Sequence, residues 1–251
     1  MADVHDYRGA DGTRLSYTSL GAGPIVLLLH GLYSNADTNW VRYGTAQQLA
    51  DAGYRAILPD FRGHGHSDTP TSADGWPADV LASDIEALVE TLQPGPDFVL
   101  GGYSLGCRTA ARLLVRGLRP RAAILAGMGL DGIRSLQPRA DWHIRIIRGR
   151  GSWPKGSAEY HAERFLEANI GNPDAMIPLL QGQVDTDIAD VRKIALPTLV
   201  LVGNRDEYRQ SALELADVLP AATFREIPGN HMTCISRPEL GARIVEFLHG
   251  L

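Results

Sequence analysis

Asp97-Phe98-Val99-Leu100-Gly101-Gly102-Tyr103-Ser104-Leu105-Gly106-Cys107-Arg108-Thr109-Ala110-Ala111-Arg112-Leu113-Leu114-Val115 reads as a buried strand that turns straight into a helix. β-prone Phe98 and Val99 lead into glycines, and Ala110, Ala111, Leu113, Leu114 and Val115 then supply a helix-compatible apolar pattern. Ser104 sits between the two, in the frame Gly102-Tyr103-Ser104-Leu105-Gly106. A Gly-x-Ser-x-Gly frame holds its serine on a strained strand-to-helix turn, with the hydroxyl exposed at the top of a sheet. Lacking Cβ atoms, Gly102 and Gly106 let strand and helix approach closely while the turn takes a geometry most residues resist. A glycine-rich turn with a chance serine is common, so the pentapeptide acquires meaning only from the rest of the chain.

Outward from that turn, strand and helix patterns alternate. Residues 4–8 and 13–19 suit two short strands joined by Gly9-Ala10-Asp11-Gly12. Residues 24–29 and 54–58 are continuous aliphatic runs of the kind that helices cover on both faces, with a helix expected at 41–52 between them. Pro77 opens a helix to about residue 92, with Leu81, Ile85, Leu88 and Leu92 on one core-facing stripe. Strands at 97–100, 121–126, 197–202 and 223–227, with helices at 211–219 and 238–249, complete the rhythm. The expected class is α/β, a mostly parallel sheet wrapped by helices through right-handed crossovers. From about Leu130 to Lys193 no strand pattern is visible, and Pro138, Gly149, Gly151, Pro154, Gly156, Gly171 and Pro173 interrupt the helices. We expect an inserted helical cap over the carboxyl ends of the strands. That division gives a core of residues 1–129 and 194–251 and a cap of 130–193, with ordinary crossover helices as the alternative.

Composition narrows the function classes. A chain of 251 residues with a formal charge of −5 and a pI near 5.9 is not built as a general nucleic-acid binder, which carries a basic excess. The first residues have no basic stretch leading to an apolar core, so no secretory signal is expected and a cytoplasmic location is. The longest aliphatic run, residues 25–29, is too short to span a bilayer. Two cysteines, Cys107 and Cys234, imply no disulfide framework and read as reduced, buried, small apolar residues. Nothing in the sequence sets the oligomeric state.

A serine hydroxyl is a poor nucleophile near neutral pH and needs a base, for which imidazole has the suitable pKa. Of the eight histidines, His5 falls in the N-terminal strand, His143 and His161 in the cap, and His249 near the end of the last helix. His30, His64 and His66 lie in turn-rich loops that explain them structurally. His231 follows the last strand, where a parallel sheet places its binding loops, and is the expected base. The base needs an acid to fix its tautomer. Asp206 stands just past a buried strand and gives the order Ser104, Asp206, His231; Asp131 and Glu207 are the alternatives. An oxyanion needs pre-aimed donors, for which the backbone N–H groups of Leu105, at the helix start, and Leu32, after His30-Gly31, are the candidates. No cofactor is expected. His64 and His66, without Cys or acid-rich spacing nearby, make a poor metal site.

Taken in order, His30-Gly31, the loop Asp60-Phe61-Arg62-Gly63-His64-Gly65-His66-Ser67, Gly102-Tyr103-Ser104-Leu105-Gly106, Gly203 to Asp206 and Gly229-Asn230-His231 resemble the α/β-hydrolase fold superfamily, with matches along almost the whole chain outside the cap. The resemblance implies a mostly parallel eight-stranded sheet whose second strand is antiparallel, a helical lid after the sixth strand, and the triad Ser104, Asp206, His231. It also implies that His30 and the 60–67 loop shape turns and supply no general base. Cys107 departs from the small residue many relatives carry there, with no consequence for the chemistry.

Relatives that act as dehalogenases or epoxide hydrolases use an aspartate at the elbow, because an alkylated carboxylate is an ester that water can cleave. An alkylated Ser104 would be a stable ether. The expected reaction is therefore acyl transfer through an acyl-serine on a small-molecule ester, thioester or lactone, with perhydrolysis, in which peroxide replaces water, as a variation. A non-catalytic hydrolase-fold ligand binder is the competing class, although no triad member is missing. Trp142, Ile144, Ile146, Ile147, Trp153, Met176, Leu179 and Leu180 are candidates for either an acyl pocket or the cap's own core, the latter favoured. Arg134, Arg139, Arg145, Arg148 and Arg150 read as a solvated basic face before they read as an anion site.

Overall fold

The aliphatic run Ile25-Val26-Leu27-Leu28-Leu29 forms β3 (Ile25–Leu29) in the interior of a single sheet, in a computed structural model that describes residues 2–251. The other strands are β1 (Asp3–Arg8), β2 (Arg14–Gly21), β4 (Arg55–Asp60), β5 (Val99–Tyr103), β6 (Ala122–Ala126), β7 (Thr198–Gly203) and β8 (Ala222–Ile227). They pair in the order β1-β2-β4-β3-β5-β6-β7-β8. β2 is antiparallel to both its neighbours, and every pairing from β4 through β8 is parallel, as the family resemblance implies.

The continuous aliphatic strands have the physical cause expected of them: both faces of the sheet are covered. Leu27, Leu29, Ile57, Leu100 and Leu125 point to one core with helices α2 (Val80–Leu92), α3 (Leu105–Arg116) and α9 (Arg209–Val218). Val26, Leu28, Leu58, Val99 and Ile124 point to a second core with α1 (Thr45–Asp51) and α10 (Pro238–His249). The stretch between β6 and β7 holds α4 (Leu130–Arg134), α5 (Gln137–Arg148), α6 (Ala158–Asn169), α7 (Met176–Gln181) and α8 (Ile188–Val191), with no strand.

Arg108, on α3 and almost fully buried, fastens both ends of that stretch. Its guanidinium donates to the carbonyls of Gly132 (2.6 Å) and Ile133 (2.7 Å), just after β6. It also donates to Val184 O at 2.7 Å and to Asp185 Oδ1 at 2.9 Å, at the far end.

Three expected elements are shifted. The helix expected over 41–52 is split: residues Asp37–Val41 wind as a π-turn, Gly44 sits at φ 86°, and the regular helix starts only at Thr45. The helix expected from Pro77 begins at Val80. Asp79 before it is held at φ 63°, its N–H bonded to Gly182 O and its carboxylate to Arg112 and Arg116. β4 runs on through Pro59, which is tolerated because the β3 ladder ends at Ile57 and leaves one side of the strand unpaired there.

Candidate active site

β5 delivers Ser104 into a backbone conformation of φ 54° and ψ −114°, a region that costs a non-glycine residue of order 1–3 kcal/mol and persists only when the surroundings enforce it. The enforcement is steric. A Cβ on Gly102 would collide with the backbone of Gly106, and a Cβ on Gly106 with the carbonyls of Leu29 and His30 at the end of β3. The glycine frame therefore packs strand, turn and helix more closely than any side chain permits, and the serine is what the compression presents.

Two loops bring partners to it. After β7, Asn204 N–H donates to Ile227 O at 2.8 Å and Arg205 N–H to Gly229 O at 2.9 Å, tying the Asp206 loop to the loop after β8. In that second loop Asn230 Oδ1 accepts from the amides of Met232 (3.1 Å) and Thr233 (3.0 Å), an Asx-type turn that shapes the backbone around His231. His231 Nε2 then lies 3.1 Å from Ser104 Oγ and Nδ1 lies 3.1 Å from Asp206 Oδ2. The Asp206 carboxylate is fully buried, and its Oδ1 accepts from Tyr208 N–H at 3.0 Å. An ionised carboxylate can only accept, so Nδ1 carries the proton and Nε2 is left to accept from the serine.

The alternative acids are elsewhere. Asp131 is exposed, and Glu207 faces solvent in an ion pair with Arg139 at 2.8 Å. Of the other histidines, His5 stacks on Tyr17, His161 meets Tyr160 and His249 lies by Tyr54.

His30 and His64 brace the turn that carries Leu32. Phe61 N–H donates to His30 Nε2 at 2.9 Å, so His30 bears its proton on Nδ1 and donates to Gly31 O at 2.8 Å. Gly31 N–H donates to Asn39 Oδ1 at 3.0 Å. The Gly31–Leu32 peptide is thereby fixed, and because a trans peptide points its N–H opposite its C=O, Leu32 N–H faces away from His30. A Cβ on Gly31 would stand 3.4 Å from Ser104 Cβ, which puts this turn directly against the elbow. Among the described residues neither Leu32 N–H nor Leu105 N–H, the two amides expected to face an oxyanion, donates to another protein group. His64 donates through Nδ1 to Arg62 O (3.0 Å) and accepts from Tyr33 N–H (3.3 Å). Burial pushes His30 down to about 4 and His64 down to about 3, so both stay neutral. His66 is exposed while His64 is locked inside, and the pair does not converge on a common point.

Two aromatic neighbours, Tyr103 and Tyr208, were not among the residues expected to act on His231. Tyr103 Oη donates to His231 O at 2.6 Å, and its ring centroid lies 5.3 Å from the His231 imidazole, which Tyr208 flanks at 5.4 Å on another side. Arg139, reaching from α5, stacks its guanidinium 4.9 Å over the Tyr208 ring. Arg145 and Arg150 pair with Glu159 and Asp174. Ile144, Ile146, Ile147, Met176, Leu179 and Leu180 are buried. Cys107 and Cys234 are free and buried, and Cys234 Sγ lies 2.9 Å from Tyr103 Oη. Among the described residues no helix is long and apolar enough to cross a membrane.

Comparison with known proteins agrees with this architecture. Residues 24–132 match the family model described as the alpha/beta hydrolase fold. The chain is 30% identical over 258 residues to Non-heme chloroperoxidase CPO-A1 of Kitasatospora aureofaciens, an alignment covering 88% of this chain and 89% of that protein. An epoxide hydrolase of Caballeronia sordidicola is 37% identical over 100 residues, but that match takes in only 40% of this chain and 29% of that enzyme. A thermophilic esterase from Thermogutta terrifontis has the same fold, with a TM-score of 0.79 at 23% identity over 99% of each chain. The chain belongs to the α/β-hydrolase fold superfamily.

Proposed function

We propose that the protein is a serine hydrolase that cleaves a small, largely apolar ester, thioester or lactone through an acyl-serine intermediate. The observation that carries this reading is the unbroken hydrogen-bonded run from Asp206 through His231 to Ser104, 3.1 Å at each step, ending on a serine in a strained turn. Ser104 Oγ–H passes its proton to His231 Nε2 as Oγ bonds to the substrate carbonyl carbon. The carbonyl electron pair moves onto oxygen, where the N–H groups of Leu32 and Leu105 receive the charge; one such donor is typically worth about 10²–10³ in rate. Collapse of the tetrahedral species breaks the bond to the leaving oxygen or sulfur, which takes the proton from Nε2. Water, deprotonated by His231, then attacks the acyl carbon, and Ser104 leaves with the proton as the acid departs. Asp206 keeps its charge throughout and holds the imidazolium that forms in each half-reaction. Residues 130–193 act in this scheme as a cap that selects the substrate, while 1–129 and 194–251 perform the chemistry.

The relative named a chloroperoxidase favours one variation: hydrogen peroxide attacks the same acyl-serine in place of water and leaves as a peracid. The test of the main reading is labelling by a fluorophosphonate probe together with turnover of activated esters. Both are expected in the wild type and absent in Ser104→Ala. No labelling and no turnover across a panel of esters, thioesters and lactones would favour a binding protein built on the same fold.

A further inference from the structure

Two polar atoms beside this site are buried with nothing to bond. Tyr33 follows Leu32 directly in the chain, is held at φ 60°, where a bulky residue is strained, and is 2% exposed. Its hydroxyl has no hydrogen-bond partner. The ring of His143, from α5, meets the Tyr33 ring edge-on at a centroid distance of 5.1 Å, and its Nδ1 is likewise buried and unpartnered. Native proteins satisfy nearly all such groups, and an orphan near a reaction centre calls for an explanation. Tyr33 and His143 come from different layers of the molecule, and their rings meet.

Their surroundings say what would satisfy them. Burial, with Arg139 and His231 adding to it, holds His143 neutral with its pKa down at about 3, and the influence of His231 places this imidazole within Coulombic reach of the proposed base. Arg139 itself is committed to Glu207 and to the face of Tyr208. The two orphans therefore offer a phenol and an uncharged imidazole, which hydrogen-bond well to a neutral oxygen and poorly repay the desolvation of a carboxylate. Trp142, the preceding residue on the same helix, places its ring edge-on to His143 at 4.8 Å.

We propose that Tyr33 Oη and His143 Nδ1 form a polar subsite for a neutral oxygen substituent, a hydroxyl or ketone, carried close to the scissile carbonyl of the substrate. The inference rests on the acyl-serine reading above. A plain alkyl ester would leave both atoms unpaired, and a site built to bond a substrate hydroxyl discriminates strongly against the analogue that lacks it.

The experiment compares matched substrates. p-Nitrophenyl 3-hydroxybutyrate against p-nitrophenyl butyrate probes the acyl side, and 2-hydroxyethyl against ethyl butyrate probes the leaving-group side. In one of the two arms the wild type is expected to favour the oxygenated ester by roughly tenfold or more in kcat/KM, and Tyr33→Phe and His143→Leu should each erase most of that ratio. Tyr33→Phe should also melt no lower than the wild type, since the hydroxyl it removes bonds to nothing. Ratios near one in both arms of the wild type, or ratios unchanged in both variants, would overturn the subsite, as would a lowered Tm in Tyr33→Phe with its ratio intact. Fluorophosphonate labelling of Ser104 is scored in parallel. Labelling with flat ratios overturns the subsite alone, whereas absence of labelling in the wild type overturns the hydrolase reading and the subsite with it.

Discussion

Replacing Asp206 by asparagine tests the proposed chemistry at the point where the geometry is most demanding. The Asp206 carboxylate has two jobs, one per oxygen: Oδ1 accepts from Tyr208 N–H at 3.0 Å and Oδ2 accepts from His231 Nδ1–H at 3.1 Å. In Asp206→Asn only one atom can still accept, and the backbone N–H of Tyr208 cannot turn to accommodate the change. The carboxamide oxygen stays with Tyr208, and the NH₂ group is left facing His231 Nδ1. An NH₂ can only donate, so Nδ1 must give up its proton and Nε2 must take it. His231 then presents an N–H to Ser104 and cannot act as its base. The wrong tautomer cost about 10⁴ in kcat in the serine protease where the same exchange defines the effect, equivalent to about 5 kcal/mol of transition-state stabilisation. Size and shape are almost unchanged, so the variant should fold, and its Tm and far-UV circular dichroism should match the wild type. Steady-state hydrolysis of a p-nitrophenyl ester, with the rate of fluorophosphonate labelling as an independent measure, reads the loss. A folded variant that retains more than a tenth of wild-type kcat would refute the tautomer argument.

Other consequences can be checked on stability. Gly106→Ala drives a methyl group into the backbone carbonyls at the end of β3, where no flexible side chain can yield. It should cost about 3 kcal/mol or more, and an unchanged urea midpoint would show that the approach is not tight. His30, His64 and His143 are buried neutral, with pKa values of about 4, about 3 and about 3 against the ordinary 6.5. The unfolded chain therefore binds protons that the folded one refuses, and stability is lost as pH falls from 6.5 towards 4, by about 1.4 kcal/mol per pH unit for each group. Urea titrations at pH 7 and pH 5 should show this slope, shallower in His30→Asn, and no slope would refute it. Arg108→Met strips the donors from the carbonyls of Gly132, Ile133 and Val184, which should cost about 3 kcal/mol. Limited proteolysis should then cut within residues 130–193 before it cuts elsewhere.

The sheet was legible in the sequence because its signals are local and strong. A run such as Ile25-Val26-Leu27-Leu28-Leu29 has no polar face to offer water, and Gly102 and Gly106 around Ser104 announce a turn that other residues cannot make. Ser104, Asp206 and His231, which stand in the loops after β5, β7 and β8, come together with His231 within hydrogen-bonding range of each of the other two. What was not legible depends on distant partners. Val80, and not Pro77, starts its helix because Asp79 is captured by Arg112, Arg116 and Gly182. Nothing adjacent to Arg108 in the sequence suggests burial of its charge; the carbonyls that receive it come from residues 24 to 76 positions away. Tyr33 and His143 are separated by more than a hundred residues, and neither their contact nor their missing partners leave any trace in spacing or periodicity.

The double grip of Arg108 has a practical side. One guanidinium, rooted in the helix that begins just after Ser104, ties residues 132–133, shortly after the polypeptide leaves the sheet, to residues 184–185, ahead of the last short helix before it returns. On the proposed reading, the length lying between those moorings is an exchangeable module. A graft spanning residues 137–183 from a distant homologue, with Arg108, Gly132, Ile133, Val184 and Asp185 retained, should transplant the donor's taste in molecules onto an unaltered reactive centre.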